Sequence, residues 1–170
     1  MTSESLITTG TRPAVRLTRN LPDPPEVVWR SITDREELRA WFPCDVAVEG
    51  GEWKQGAAIA FQFPAEASNM TMSGEVLEVD PPRRLAYMWG EEKLVFELTP
   101  RAGGTHLVLS DELPAGFAAR NAAGWEVCLD RLEGKAPEQD AWRGHFASYK
   151  QKFEPVLGEQ EGPPPEYKGN

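Results

Sequence analysis

The chain has 170 residues, 40% of them hydrophobic, and a formal net charge of −9. That length suits one domain whose core hides roughly 70% of the unfolded surface, and no apolar run approaches the roughly 20 residues of a membrane-spanning helix. The acidic balance, with no basic patch beyond Arg83-Arg84, argues against nucleic acid as a partner.

Residues 1–12 are polar and are expected to form a flexible tail. They carry neither the basic start nor the apolar stretch of a signal peptide, so a cytoplasmic location is expected. Ala14 to Arg19 alternates apolar and polar residues, the period of a half-buried strand. Asp23 ahead of Pro24-Pro25-Glu26 predicts a helix start, with Asp23 as cap, Pro at the first helical position and Glu26 three residues after the cap. Val28 and Ile32 continue that helix. Asp34 with Glu37 three residues later predicts a second start, followed by Leu38 and Trp41, and Pro43 ends it.

A meander of about six strands is expected next. Ala57 to Phe63, Met70 to Val79, Arg84 to Trp89, Leu94 to Thr99 and Thr105 to Ser110 all read as extended, with apolar residues on alternate positions. Gly90-Glu91-Glu92 and Gly103-Gly104 are placed at turns. Two helices follow, broken between Gly134 and Pro137. The first carries a stripe of Ala122, Trp125, Leu129 and Leu132, bordered by Cys128. The second carries Trp142, Phe146, Tyr149 and Phe153, an aromatic face that needs an apolar surface, most simply the concave face of the sheet. Residues 158–170, with Pro163-Pro164-Pro165, are expected to be a second tail, which leaves 13–157 as the domain. The order strand, two short helices, strands, helix is α+β.

Three passages carry a family resemblance. They are Pro25 to Asp34 leading to Leu38-Arg39-Ala40-Trp41-Phe42, Gly74 to Leu85 followed by Trp89, and Gly124 to Leu132. Together they resemble the SRPBCC superfamily (START-like, birch-pollen-allergen-like), and within it the branch named for the activator of the heat-shock protein 90 ATPase. The resemblance implies a helix-grip fold, a curved antiparallel sheet closed over a long C-terminal helix, with a cavity between them for a small hydrophobic molecule. It also implies a chaperone as a possible partner, and it extends to cyclases and other enzymes. Fold alone does not choose among these.

In that geometry Trp41, Phe61, Met72, Met88, Trp89, Phe96, Trp125 and Leu129 are the candidates for a ligand-binding wall, since ligand sites are mostly apolar with a few placed polar groups. Each would suit a solid core equally well. For catalysis a titratable group must face a water-poor site. Tyr87 is the polar side chain assigned to an inward strand position, with Gln62 facing outward, and His145 with Tyr149 at i, i+4 is the alternative pair. No Gly-x-Ser-x-Gly elbow or phosphate-cradling loop is present. Cys44 and Cys128 are expected as buried thiols rather than a disulfide. His106 and His145 lack a second ligand at metal-site spacing, so no metal or other cofactor is expected. Binding of a small hydrophobic molecule is thus the first expectation, a co-chaperone role the second, and a cyclase- or hydrolase-type enzyme the third. A monomer or a homodimer is expected, because the sheet has edges that could pair.

Overall fold

The computed structural model describes residues 3–66 and 68–163. Period-two rows of apolar side chains build its sheet. Val15, Leu17 and Leu21 fill the inner face of β2 (Ala14–Leu21), Ile59 and Phe61 that of β4 (Ala58–Gln62), and Leu85 and Tyr87 that of β6 (Arg84–Trp89). Leu94, Phe96 and Leu98 do so on β7 (Glu92–Arg101), and Leu107 and Leu109 on β8 (Gly104–Glu112). With β1 (Ser3–Ile7), β3 (Asp45–Val48) and β5 (Thr71–Asp80) they form one eight-stranded sheet, antiparallel throughout, in the order β1-β2-β8-β7-β6-β5-β4-β3. The β6–β7 hairpin turns on Gly90-Glu91, with Trp89 opposite Glu92 and Gly90 at φ 64°. That left-handed conformation favours glycine.

Two strands lie where none was expected. β1 falls inside the presumed N-terminal tail and pairs with β2, Leu6 opposite Val15. It satisfies an edge of β2 that would otherwise stand open. β3 has only four residues, too few to show a period, yet it brings Val46 opposite Phe61 at the other end of the sheet.

The helices follow the cap chemistry in part. α1 (Pro25–Thr33) starts one residue later than expected, with Pro24 as its cap and Pro25 at the first helical position, and the Asp23 carbonyl instead accepts from the Thr105 hydroxyl at 2.7 Å. The Asp34 carboxylate does cap α2 (Arg35–Leu38), accepting from the Glu37 N–H at 3.0 Å. α3 (Ala118–Leu132) occupies the concave face. The buried Ala118, Ala119, Ala122 and Ala123 let its backbone lie close to its neighbours, and Trp125 and Leu129 project from it into the core. This is the helix-grip α+β fold, and the gripped helix is α3.

α4 (Ala141–Leu157) packs on α3, so its aromatic stripe does not reach the sheet. Tyr149 and Phe153 are buried there, and Trp142 stacks on Phe146 at 5.0 Å. Part of the presumed C-terminal tail is docked as well. Buried Gln160 accepts from the Ala119 N–H and donates to the Ala115 carbonyl, both at 2.9 Å. It thereby satisfies a backbone donor that the start of a helix leaves unpaired. The ends of the two presumed tails, 1–2 and 164–170, lie outside the described residues. Among the described residues no helix is long and apolar enough to cross a membrane.

Candidate ligand cleft

The eight side chains expected to line a cavity separate into three groups. Trp41, Phe61, Phe96 and Leu129 are 2%, 0%, 1% and 0% exposed and belong to the packed core. Trp41 lies edge-on to Phe96 at 6.2 Å, and Tyr87 stacks between Phe61 and Phe96 at 6.0 Å from each. The space between the sheet and α3 is therefore occupied by side chains at these positions. Met88 alternates with Tyr87 and Trp89, so it stands on the outer face, opposite Lys93. Met72 and Trp89 lie at one margin of the sheet, where the packing opens, and Trp125, itself buried, borders that margin through its ring contact with Trp89.

At that margin lies a cleft of about 490 Å³. Its walls are mostly apolar: Phe63, Met70 and Met72 from the β4–β5 side, Trp89 at the end of β6, Phe117 ahead of α3 and Trp142 from α4. Trp89 is 5.4 Å from Trp125 and 6.1 Å from Phe63, centroid to centroid. A smaller recess of about 90 Å³ adjoins it between Pro43, Gly124, Trp125 and Cys128, sharing Trp89, Arg120 and Asn121 with the cleft. A second groove of about 520 Å³ shares Pro43 and Phe63 but is lined by Arg39, Asp45, Gln62 and Asn69 as well. The 490 Å³ cleft is the better container for an apolar molecule, because its walls are aromatic and thioether surfaces.

One end of the cleft is polar. Glu91, Glu92, Arg120 and Asn121 lie there. Arg120 places its guanidinium 3.8 Å from the centroid of the Phe117 ring and pairs with Glu161 at 3.7 Å. The Asn121 amide donates to a Glu92 oxygen and lies 3.5 Å from Asp111 Oδ2. Trp125 Nε1 donates to that same Asp111 oxygen at 2.9 Å. Asp111 is fully buried, and its Oδ1 has no partner among the described residues. Burial pushes Asp111 up to about 7 against its bonds to Trp125 and Asn121. Burial, then the neighbouring Asp111, pushes Glu92 up to about 9. Carboxyl groups displaced this far are frequent at functional sites.

Sequence reasoning passed over both carboxyls. Asp111 continues the inward row Leu107, Leu109, and Glu92 continues the row Leu98, Phe96, Leu94 toward the hairpin. The period of two is the available signal, and the strand expected over Thr105 to Ser110 stops one residue short of Asp111. Leu94 faces Asp111 across the ladder, so Glu92 and Asp111 are diagonal neighbours.

The catalytic candidates stand elsewhere. Tyr87 is fully buried, its hydroxyl has no partner among the described residues, and burial holds that hydroxyl well above its usual range, so the side chain is closed to solvent in this structure. His145 is half-buried on α4, outside the cleft lining, and the Tyr149 hydroxyl donates to Glu126 at 2.7 Å. Cys44 and Cys128 are free and buried, and burial pushes each up to about 12, which makes them poor nucleophiles. Among the described residues no group of three His, Cys, Asp or Glu side chains could hold a metal ion.

A second inward row ends in a charge. Arg19 follows Val15 and Leu17 on β2 and pairs with Glu126 at 2.8 Å, Asp130 at 3.2 Å and Glu133 at 3.3 Å of the segment formed by α3 and its end. Burial opposes its charge, but Glu126 and then the other two carboxylates outweigh that and hold its pKa above the usual value. This cluster ties β2 to α3 and lies apart from the cleft.

Comparison with known proteins places the fold. Protein EF2215 from Enterococcus faecalis, a conserved protein of unknown function, superposes with a TM-score of 0.76 at 21% identity over 90% of this chain and 91% of that one. CalU16 from Micromonospora echinospora superposes with a TM-score of 0.67 at 22% identity over 88% and 96%. DynU16, a protein in the dynemicin biosynthetic locus, gives 0.60 at 25% identity over 71% of this chain and 46% of that one. No curated protein matches the chain. The family model described as "Activator of Hsp90 ATPase homolog 1-like protein" matches residues 23–135, from the approach to α1 to the turn after α3. With about two thirds of its length inside that match, the chain belongs to this family of the SRPBCC superfamily.

Proposed function

We propose that this protein binds a small, largely apolar molecule in the cleft bounded by Met72, Trp89, Phe117 and Trp142. The single observation that carries the reading is a cleft of about 490 Å³ with aromatic walls and polar groups gathered at one end. That size and lining suit a small-molecule site. The helix-grip fold of this superfamily generally holds a ligand cavity, and one structural neighbour, DynU16, comes from a locus for making a small molecule. The site differs from the sequence expectation in its position. It sits at the margin of the grip, because Trp41, Phe61, Tyr87 and Phe96 fill the middle. A chaperone partner rests on the family description alone.

Native mass spectrometry of the protein purified from its own host tests the reading. A retained small molecule is expected, and its retention should fall in Trp142→Ala, which removes a wall without entering the core. A protein that arrives empty, and whose tryptophan fluorescence responds to no apolar compound, would overturn it.

A further inference from the structure

Resting on the reading of this cleft as a ligand site, the geometry points to the chemical class of its ligand. Two carboxyls, Glu92 and Asp111, meet at the polar end, and one amide, that of Asn121, reaches both. Neither forms an ion pair among the described residues. The cations nearest to hand are engaged elsewhere: Arg12 pairs with Glu112 at 3.8 Å, and Arg120 pairs with Glu161 while lying over Phe117. Asp111 is 0% exposed and keeps one oxygen unpartnered, which is costly for a buried charge. Glu92 is exposed to the cleft between Trp89 and Asn121. A carboxylate at the end of an aromatic slot is the arrangement that recognises an ammonium group, through charge on one side and ring faces on the other.

We propose that the cleft's ligand carries a basic nitrogen, as a protonated amine or a quaternary ammonium, and that this cation seats against Glu92 and neutralises the Glu92–Asp111 pair. A metal ion is the less fitting occupant, since the site offers two carboxyls and no third ligating side chain of that kind.

The pair then couples binding to a proton. Asp111 faces Glu92 from β8, Glu91 from the hairpin, Arg12 from the chain before β2, and Arg120 from α3. Burial and Asp111 keep Glu92 protonated at neutral pH. An arriving cation favours the ionised form, so the Glu92 proton leaves to solvent. Affinity for a permanently charged ligand therefore rises with pH until Glu92 is ionised in the free protein and levels off above that.

The experiment titrates the full chain with benzyltrimethylammonium and with its neutral isostere neopentylbenzene, following tryptophan fluorescence. Calorimetry at pH 8 in two buffers of different ionisation heat counts the protons released. The cation is expected to bind at least about tenfold more tightly than the isostere and to release a proton. Glu92→Gln should abolish both the preference and the release, and Asp111→Asn should weaken the preference, while the isostere binds all three proteins within about twofold. An isostere that binds as tightly as the cation, or a preference that survives both substitutions, overturns the cation assignment and leaves the cleft standing. If neither compound binds, or if Trp142→Ala changes the binding of neither, the cleft reading itself fails and the assignment with it. Should Glu92→Gln not fold, the pH slope of the unsubstituted protein and the Asp111→Asn variant decide the matter.

Discussion

Gly74 shows how tightly the inner face is fitted. It lies on β5 opposite Ile59, in the row that Met72 and Val76 continue. A Cβ there would stand 1.9 Å from the Met88 carbonyl oxygen and 2.7 Å from Phe61 Cε2. The carbonyl belongs to the neighbouring backbone and cannot swing aside. Gly74→Ala should therefore destabilise the protein by about 1–3 kcal/mol through overpacking, even though an alanine normally favours a strand over glycine. Urea unfolding would show this as a lower midpoint at unchanged slope, and an unchanged midpoint would contradict it. Tyr87 makes the complementary point. Its ring is held between Phe61 and Phe96, so it serves the packing, and its isolated hydroxyl is a cost the core tolerates.

At the scale of elements, a chain of charges joins three of them. Arg19 on β2 reaches Glu126 on α3, and Glu126 accepts from Tyr149 on α4. Each link is buried, so removing one partner leaves the other exposed to the low-dielectric interior. Arg19→Met should cost about 3–5 kcal/mol, because Glu126 loses its cation. Arg19→Met with Glu126→Gln should cost clearly less than the sum of the two single changes, since Glu126, the most buried of the three carboxylates, is then no longer left charged without its cation. A double-mutant cycle by thermal unfolding measures this, and strict additivity would show that the pair is not coupled. The same link explains why α4 lies on α3: its aromatic stripe and the Tyr149 hydroxyl both find their partners there, and the concave face of the sheet is already taken.

For the whole molecule, the buried carboxyls set how stability follows pH. Glu92 and Asp111 hold their protons up to about 9 and about 7 in the folded state. In the unfolded chain they release them near about pH 4. Between those limits the folded state binds more protons, so stability falls as pH rises. Asp45 acts in the opposite sense, because its bonds to Arg35 and Arg39 lower its pKa, and the stability it adds is lost as acid titrates it. The melting temperature should therefore decline from pH 5.5 to pH 9, and Glu92→Gln or Asp111→Asn should flatten the decline. A profile that rises over this range in the unsubstituted protein would contradict the burial of the pair. The cleft itself is a property of the whole chain. Residues 23–135 match the family, yet Trp142 on α4 and Pro163 beyond it complete the lining.

The α+β class, the inward apolar rows of β4, β6, β7 and β8, the Asp34 cap, the hairpin turn that begins at Gly90 and the break before α4 were all legible in the chain. Local rules suffice for these, because side-chain alternation and cap chemistry depend on neighbours along the chain. β1, β3 and the docked Gln160 were not legible, since short segments gain their structure only from a partner that the sequence does not place beside them. The site divides in the same way. Trp89, Trp125 and Met72 were legible as large apolar side chains, but so were Trp41, Phe61 and Phe96, and only packing decided which of them fill the core and which face open space. The meeting of Glu92 with Asp111 under the Asn121 amide was decided by tertiary structure alone. It needs the β7–β8 register to make the two carboxyls diagonal neighbours and the seat of α3 to bring Asn121 and Trp125 over them.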